Sequence, residues 1–315
     1  MAPPLSTKTA FLGYGACAAA GCLWGTGFYF GKLALAEMSV DHMVLYRFLF
    51  ACVALLPLAL RHRLTLRSAE LRLLLLASFL GIPVQFLVQF SGLNRTTVSH
   101  ASLMVGTMPV ILAVGASLFT NERLDLIGWL ALLASSCGVS LIVLGGRHGA
   151  DGHSLNGPSL TGDLLVVVSL VIALGWVLLN QRLMLRHAPV VVTTYGLLSG
   201  TVMLALWVLL RDGPPPVHGV SVKAWAALAA SGVLCTAVTT LLWNWGIHHV
   251  PASRAGVFLN IEPALGSILG VKLLGDHLGT FAWLGGALIV AAAITLTTRG
   301  HRPSETLSEA EAHFM

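Results

Sequence analysis

Apolar runs broken by short clusters of charged and turn-forming residues occupy about 11–33, 42–60, 71–92, 98–119, 124–144, 163–185, 191–210, 223–247, 252–274 and 279–298. Each is close to the length, about 20 residues, at which an α-helix crosses the hydrocarbon core of a bilayer. The alternating segments of about ten residues that build a membrane β-barrel do not occur in the sequence, and the only open structure that satisfies its own backbone in lipid is a helix. The pattern predicts an all-α integral membrane protein with ten transmembrane helices.

The longest polar connection, Gly145 to Gly162, reads GGRHGADGHSLNGPSLTG and divides the runs five and five. Shifting the second half by 154 positions, without a gap, places Gly92 on Gly246, Ser99 on Ser253, Ala101 on Ala255 and Pro109 on Pro263. Leu124, Trp129 and Leu130 fall on Leu278, Trp283 and Leu284, and Glu122 falls on Asp276. The chain is thus an internal repeat: a tail at 1–9, a first unit at 10–146, a linker at 147–162, a second unit at 163–298 and a tail at 299–315. Because five spans return the chain to the opposite face, the units are expected to be inverted, and inverted repeats point to a transporter.

Composition agrees with the hydropathy pattern. Of 315 residues, 56% are apolar and 10% charged, against about a quarter charged in soluble domains. The net charge of +5 builds no basic stripe, so a nucleic-acid partner is not expected. With both termini inside, eleven Lys and Arg residues lie on the cytoplasmic side and six on the other, an excess that favours cytoplasmic termini. The first run continues through Trp24 to Phe30, longer than a signal peptide needs. All five cysteines sit within apolar runs and read as packing residues.

Several residues are candidates for chemistry. Pro109 and Pro263 fall near the middle of the fourth and ninth spans, where each should interrupt the backbone; this is either packing geometry or the mark of a midplane site. Glu262 is about eleven residues into the ninth span, ~16 Å deep, and either faces a wet cavity or serves as a neutral hydrogen-bond donor. Arg47, Lys32 and His100 either give the outer vestibule a positive rim or snorkel to the interface. Trp24 and Phe28, Gln85 and Gln89, Trp176 and Asn180, and Trp243 and Asn244 combine amides and aromatics suited to a small amphipathic metabolite, although tryptophans also serve as core or interface anchors.

Enzyme signatures are missing from the sequence. Gly27 to Lys32 is one residue short of a phosphate loop, Leu33 replaces its hydroxyl, and no HExxH, GxSxG or dinucleotide fingerprint in context occurs. His248 and His249 are adjacent on one span, while His148 and His153 lie in the linker, so neither a metal site nor a cofactor is expected.

Trp24-Gly25, Lys32 and Arg47, then Pro109 followed by Glu122-Arg123-Leu124, then Glu262-Pro263 followed by Asp276, resemble the drug/metabolite transporter superfamily in its EamA-like branch. The resemblance spans residues about 10 to 298 in two copies. Asp276 stands where the family usually has glutamate, and Gly175-Trp176 reverses Trp24-Gly25. The resemblance implies helices one to four and six to nine around a central cavity, helices five and ten outside, and movement of amino acids, other metabolites or drugs, often outward. The expected function is a secondary transporter of a small metabolite such as an amino acid, an exporter in a bacterial inner membrane, working by alternating access. Its substrate-binding candidates are Trp24, Phe28, Arg47, Gln85, Gln89, His100, Trp176, Asn180, Trp243, Asn244 and Glu262, the last also a candidate for proton coupling. The alternative is a membrane enzyme or receptor holding a ligand in the same cavity.

Overall fold

The computed structural model describes residues 7–61, 66–119, 126–146, 159–249 and 256–299. Glu122 to Leu124, Ser253 to Ala255, His148, His153 and both tail ends lie outside these residues. The described residues form helical rods and no strand. They are α1 (Thr7–Gly25, then Gly27–Leu35), α2 (Val40–Arg61), α3 (Ser68–Arg95), α4 (Val98–Val105, then Met108–Phe119) and α5 (Leu126–Gly146). The second set is α6 (Leu160–Met184), α7 (Pro189–Arg211), α8 (Val222–Ala229, Ala230–Val238 and Thr239–His249), α9 (Gly256–Asn260, then Ile261–Leu273) and α10 (Thr280–Arg299). Among the described residues five helices, in α2, α3, α6, α7 and α8, are long and apolar enough to cross a membrane, and shorter apolar helices lie in α4, α5 and α10.

The interruptions fall at matching positions of the two halves. Adding 154 to Ser68 and Arg95 gives Val222 and His249, the first and last residues of α8. Inside α3 the stretch Leu80–Val84 winds as a π-helix around Pro83, and its equivalent lies within the π-helical Ala230–Val238 of α8. Such bulges shift every later side chain around the axis. In α4 the break is at Gly106–Thr107: both amides bond three residues back, to Leu103 and Met104, and the Thr107 hydroxyl bonds the Met104 carbonyl at 2.7 Å. Pro109 then sits in the first turn of the next segment, where its missing N–H has no helical partner to lose. The equivalent of this break in α9 is the passage from 3₁₀-helix to α-helix at Asn260–Ile261, with Pro263 again in the first turn.

One departure breaks the match. The sequence predicts a continuous first span, but α1 is broken at Thr26, whose amide and hydroxyl both turn back to the Leu23 carbonyl, at 3.2 and 2.7 Å. A side-chain hydroxyl that competes for backbone carbonyls loosens a helix; α6, its counterpart, is unbroken.

Packing also follows the duplication. α2 packs on α7, α4 on α9 and α5 on α10, while the pair α1–α8 mirrors α6–α3. α4 is central: every residue from Val98 to Thr107 is buried. α5 and α10 are peripheral, and the repeat-related Trp129 and Trp283 are exposed to nearly equal extents, 54% and 52%. Where α5 crosses α10, a Cβ at Gly138 would meet the Gly285 carbonyl and a Cβ at Gly285 the Gly138 carbonyl, so neither position accepts a side chain without separating the helices.

Candidate functional site

Arg47 on α2 is buried at 6% exposure, and its side-chain contacts come from α3 and α8. Its guanidinium lies 5.2 Å from the ring centres of both Phe86 and Phe90, one turn apart on α3, contacts worth about 0.5–2 kcal/mol each. Its Nε donates to the Thr236 hydroxyl of α8 at 3.1 Å, and Thr236 in turn donates to the carbonyl of Ser231, five residues back. The π-helical winding of α8 therefore presents Thr236 as the strut that orients Arg47. The two Nη groups of Arg47 make no hydrogen bond among the described residues and are left for another acceptor.

Glu262, in the first turn of the second α9 segment, is partly accessible although it is deep in the fold. Its carboxylate and Arg47 attract each other electrostatically without forming a direct ion pair among the described residues. α1 closes over this place: a Cβ at Gly25 would lie 3.1 Å from the Glu262 carbonyl, Trp24 meets Trp243 of α8 in a tilted contact at 5.5 Å, and Phe28 meets Phe90 edge-on at 6.0 Å.

The amides are buried on α3, α6 and α8. Gln85, Gln89, Asn180 and Asn244 are each 6–7% exposed, and Gln85 Oε1 and Asn244 Nδ2 have no hydrogen-bond partner among the described residues. Buried polar atoms without partners are uncommon in folded proteins. Trp176 lies against Gly81 in the π-helical part of α3, where any side chain would collide with its indole.

His100 and Lys32 occupy a different kind of environment. At the end of the bundle where α3 stops and α4 and α6 begin, His100 Nδ1 is 3.2 Å from Asp163 Oδ2, and the Thr96 hydroxyl donates to Asp163 Oδ1 at 2.6 Å. Lys32 Nζ donates to the Leu93 and Thr96 carbonyls at 2.9 and 2.8 Å, capping the last turn of α3. Asp276 Oδ2 accepts from the Ser99 amide at 2.8 Å, and the Ser99 hydroxyl donates to the Ser267 carbonyl at 3.1 Å. His100 and Asp163 are only 1% and 2% exposed. Lys32 and His100, read from sequence either as part of a positive rim or as snorkelling to the interface, here belong to a buried polar seal joining α1, α3, α4, α6 and α9.

Phe86, Phe90, Thr236 and Asp163 are the residues that sequence reading passed over. Phe86 and Phe90 carry the same one-turn spacing as Gln85 and Gln89 and were detectable on that ground. Thr236 and Asp163 carry no comparable signal, since their importance comes from partners 189 and 63 positions away.

A sequence profile of the EamA-like transporter family matches residues 11–144 and again 160–298. The chain belongs to the EamA-like transporter family. It is an integral, multi-pass membrane protein of bacterial and archaeal kinship. An uncharacterized transporter of Archaeoglobus fulgidus is 25% identical over 285 residues, covering 89% of this chain and 95% of the relative. The uncharacterized transporter YetK of Bacillus subtilis is 22% identical, covering 92% and 88%. A probable terminal-alkyne amino-acid exporter of Streptantibioticus cattleyicolor is 23% identical, covering 88% and 90%. A solved crystal structure superposes with a TM-score of 0.61 over 92% of this chain and 96% of its own, at 18% identity, a likeness of fold. These EamA-like relatives are named as transporters.

Proposed function

We propose that the protein is a secondary transporter exporting an amino acid or similar zwitterion, by alternating access of two inverted five-helix units, residues 10–146 and 163–298, with both tails in the cytoplasm. The observation that carries this reading is the placement of a buried cation and a carboxylate, Arg47 and Glu262, where the interrupted helices converge. A zwitterion offers a carboxylate to the free fork of Arg47, a bidentate geometry guanidinium favours, and an ammonium to Glu262. Trp24, Phe28, Trp176 and Trp243 form the apolar walls, and Gln85, Gln89, Asn180 and Asn244 supply adjustable hydrogen bonds. In this reading the seal around His100 and Asp163 is the extracellular gate in its closed form. Glu262 doubles as the group through which proton coupling would run.

Proteoliposomes loaded with radiolabelled amino acids provide the test. Time-dependent efflux or counterflow of one amino acid supports the reading; binding or conversion without movement across the membrane replaces it with the receptor or enzyme reading. Labelling of a cysteine placed at Ser304 by an impermeant reagent added to intact cells would overturn the cytoplasmic tails.

A further inference from the structure

Away from Arg47 and Glu262, the outward face of α6 carries a groove of about 800 Å³. Its walls are apolar along Val171, Leu174, Leu178, Met184 and Leu185, with the polar Gln181 and Arg182 toward its C-terminal end. The floor is deep at Gly175: a Cβ there would find only Leu80 Cδ1, at 3.9 Å, so the missing side chain leaves a notch rather than a helix contact. Leu174 contacts α4 at Gly115, which sets the groove beside the α4–α6 junction.

Its length matches half a bilayer. From Val171 to Arg182 the helix rises ~16 Å at 1.5 Å per residue, about half of the ~30 Å hydrocarbon core. The apolar part thus reaches from near the midplane to the headgroup level of one leaflet, and Arg182 stands where a phosphate would lie. The charge at that end is one-sided. Arg182 is exposed and has no acidic partner among the described residues. Arg186 follows one turn on, and Arg67 lines an adjoining hollow of about 550 Å³ with Leu66, Glu70, Arg186 and His187. Glu70, the carboxylate there, is already shared between Arg186 at 3.2 Å and His187 at 3.5 Å.

We propose that the α6 groove is a specific site for one anionic phospholipid, with an acyl chain seated over Gly175 between Val171 and Leu178 and the phosphate held by Arg182. An apolar channel of leaflet length takes a chain of any phospholipid; the unpaired Arg182 and its basic surroundings select the negative headgroup, since basic pockets beside transmembrane helices attract anionic lipids.

The experiment uses the full-length, delipidated protein in detergent, with phosphatidylglycerol or phosphatidylcholine of identical chains added back and retained lipid counted by native mass spectrometry. The wild type should retain one phosphatidylglycerol, with phosphatidylcholine held about tenfold more weakly, a difference of ~1.4 kcal/mol. Arg182→Gln should erase the headgroup preference, Arg182→Lys should restore most of it, and Gly175→Leu, filling the notch, should lower retention of both lipids. Each variant is first confirmed monodisperse by gel filtration, and Gly175→Ala serves in its place if the leucine variant aggregates. Equal retention of the two lipids by the wild type, or an unchanged preference in Arg182→Gln, overturns the headgroup assignment. Undiminished retention in a folded Gly175 variant overturns the chain assignment. None of these readouts involves transport, so they stand or fall apart from the proposed function.

Discussion

α3 and α8 are the same helix twice in backbone and two different helices in chemistry. Both span positions related by 154 and both loosen into a π-helix at corresponding turns. Yet Gln85, Gln89 and Phe90 on α3 correspond to Thr239, Trp243 and Asn244 on α8. The same holds for α4 and α9, where Met108 occupies the place of Glu262 just before the paired prolines. A duplicated backbone therefore supplies symmetrical interruptions, while the side chains they present differ, and of the two positions just before the paired prolines only the one on α9 carries a carboxylate. The residues around Arg47 and Glu262 are therefore asymmetric, and under the proposed function a substrate with unlike ends would bind in one orientation.

The sharpest way to break that comparison is to treat equivalent positions alike. Glu262→Gln should reduce transport at least about tenfold, the equivalent of ~1.4 kcal/mol in the barrier, whereas Met108→Gln at the matching site should leave the rate within about threefold in well-folded protein. Equal effects in initial-rate counterflow assays would make the two positions structural partners. If Glu262 also carries protons, the residual activity of Glu262→Gln should lose the pH dependence of the wild type.

A second effect concerns the strut. Thr236→Val keeps the shape of the side chain but removes the hydroxyl that accepts Arg47 Nε, and should weaken substrate binding severalfold, toward the level of Arg47→Gln. Thr236→Ser should restore it. Binding measured by substrate-dependent thermal shift distinguishes this from simple loss of packing, because packing loss lowers Tm equally with and without substrate.

At the sealed end, Asp163→Asn should lower stability by about 1–3 kcal/mol, the cost of weakening charged hydrogen bonds at a buried site. It should also make a cysteine placed at Thr97 more accessible to thiol reagents. If neither Tm nor labelling changes, the Thr96–Asp163–His100 contacts are incidental to closure.

The smallest effect belongs to a pair of anchors at the helix ends. The α1–α2 turn reaches the start of α8, where Glu37 accepts 2.6 Å hydrogen bonds from the Ser221 amide and hydroxyl; the α6–α7 turn similarly reaches the start of α3, where Glu70 meets Arg186. The Ser221 hydroxyl first, then its amide, hold the Glu37 carboxyl below its ordinary value of 4.5. A lowered folded value means that Glu37 adds stability above pH 4.5, and that this contribution fades as the pH falls through the folded value. Glu37→Gln should therefore lower Tm slightly at pH 7, and the difference from wild type should shrink in acid.

Much of this architecture was readable in the hydropathy pattern, because lipid leaves so few ways to satisfy a backbone that apolar length and charged punctuation nearly specify the helices. The 154-residue offset likewise located Pro109 and Pro263, and both stand at helix interruptions. The break at Thr26 was not legible: Gly-Thr-Gly within an apolar run reads as close packing, and only the geometry of the Leu23 carbonyl shows the hydroxyl competing for it. His100 and Lys32 show the same limit, since a basic residue near a helix end has the same sequence signature whether it faces water or caps a buried carbonyl.

The sequence by itself determined the solvent, the helical class, the duplication and the existence of a deep carboxylate, because each follows from local composition or from the chain compared with itself. Tertiary structure alone decided what Arg47 and Glu262 have to do with each other, which hydroxyl holds the guanidinium, and which basic residues are tied into a seal. Those relations join residues tens to hundreds of positions apart, and whether a polar group in a membrane protein is paired, capped or left free depends on the helix packed against it, which no local pattern encodes.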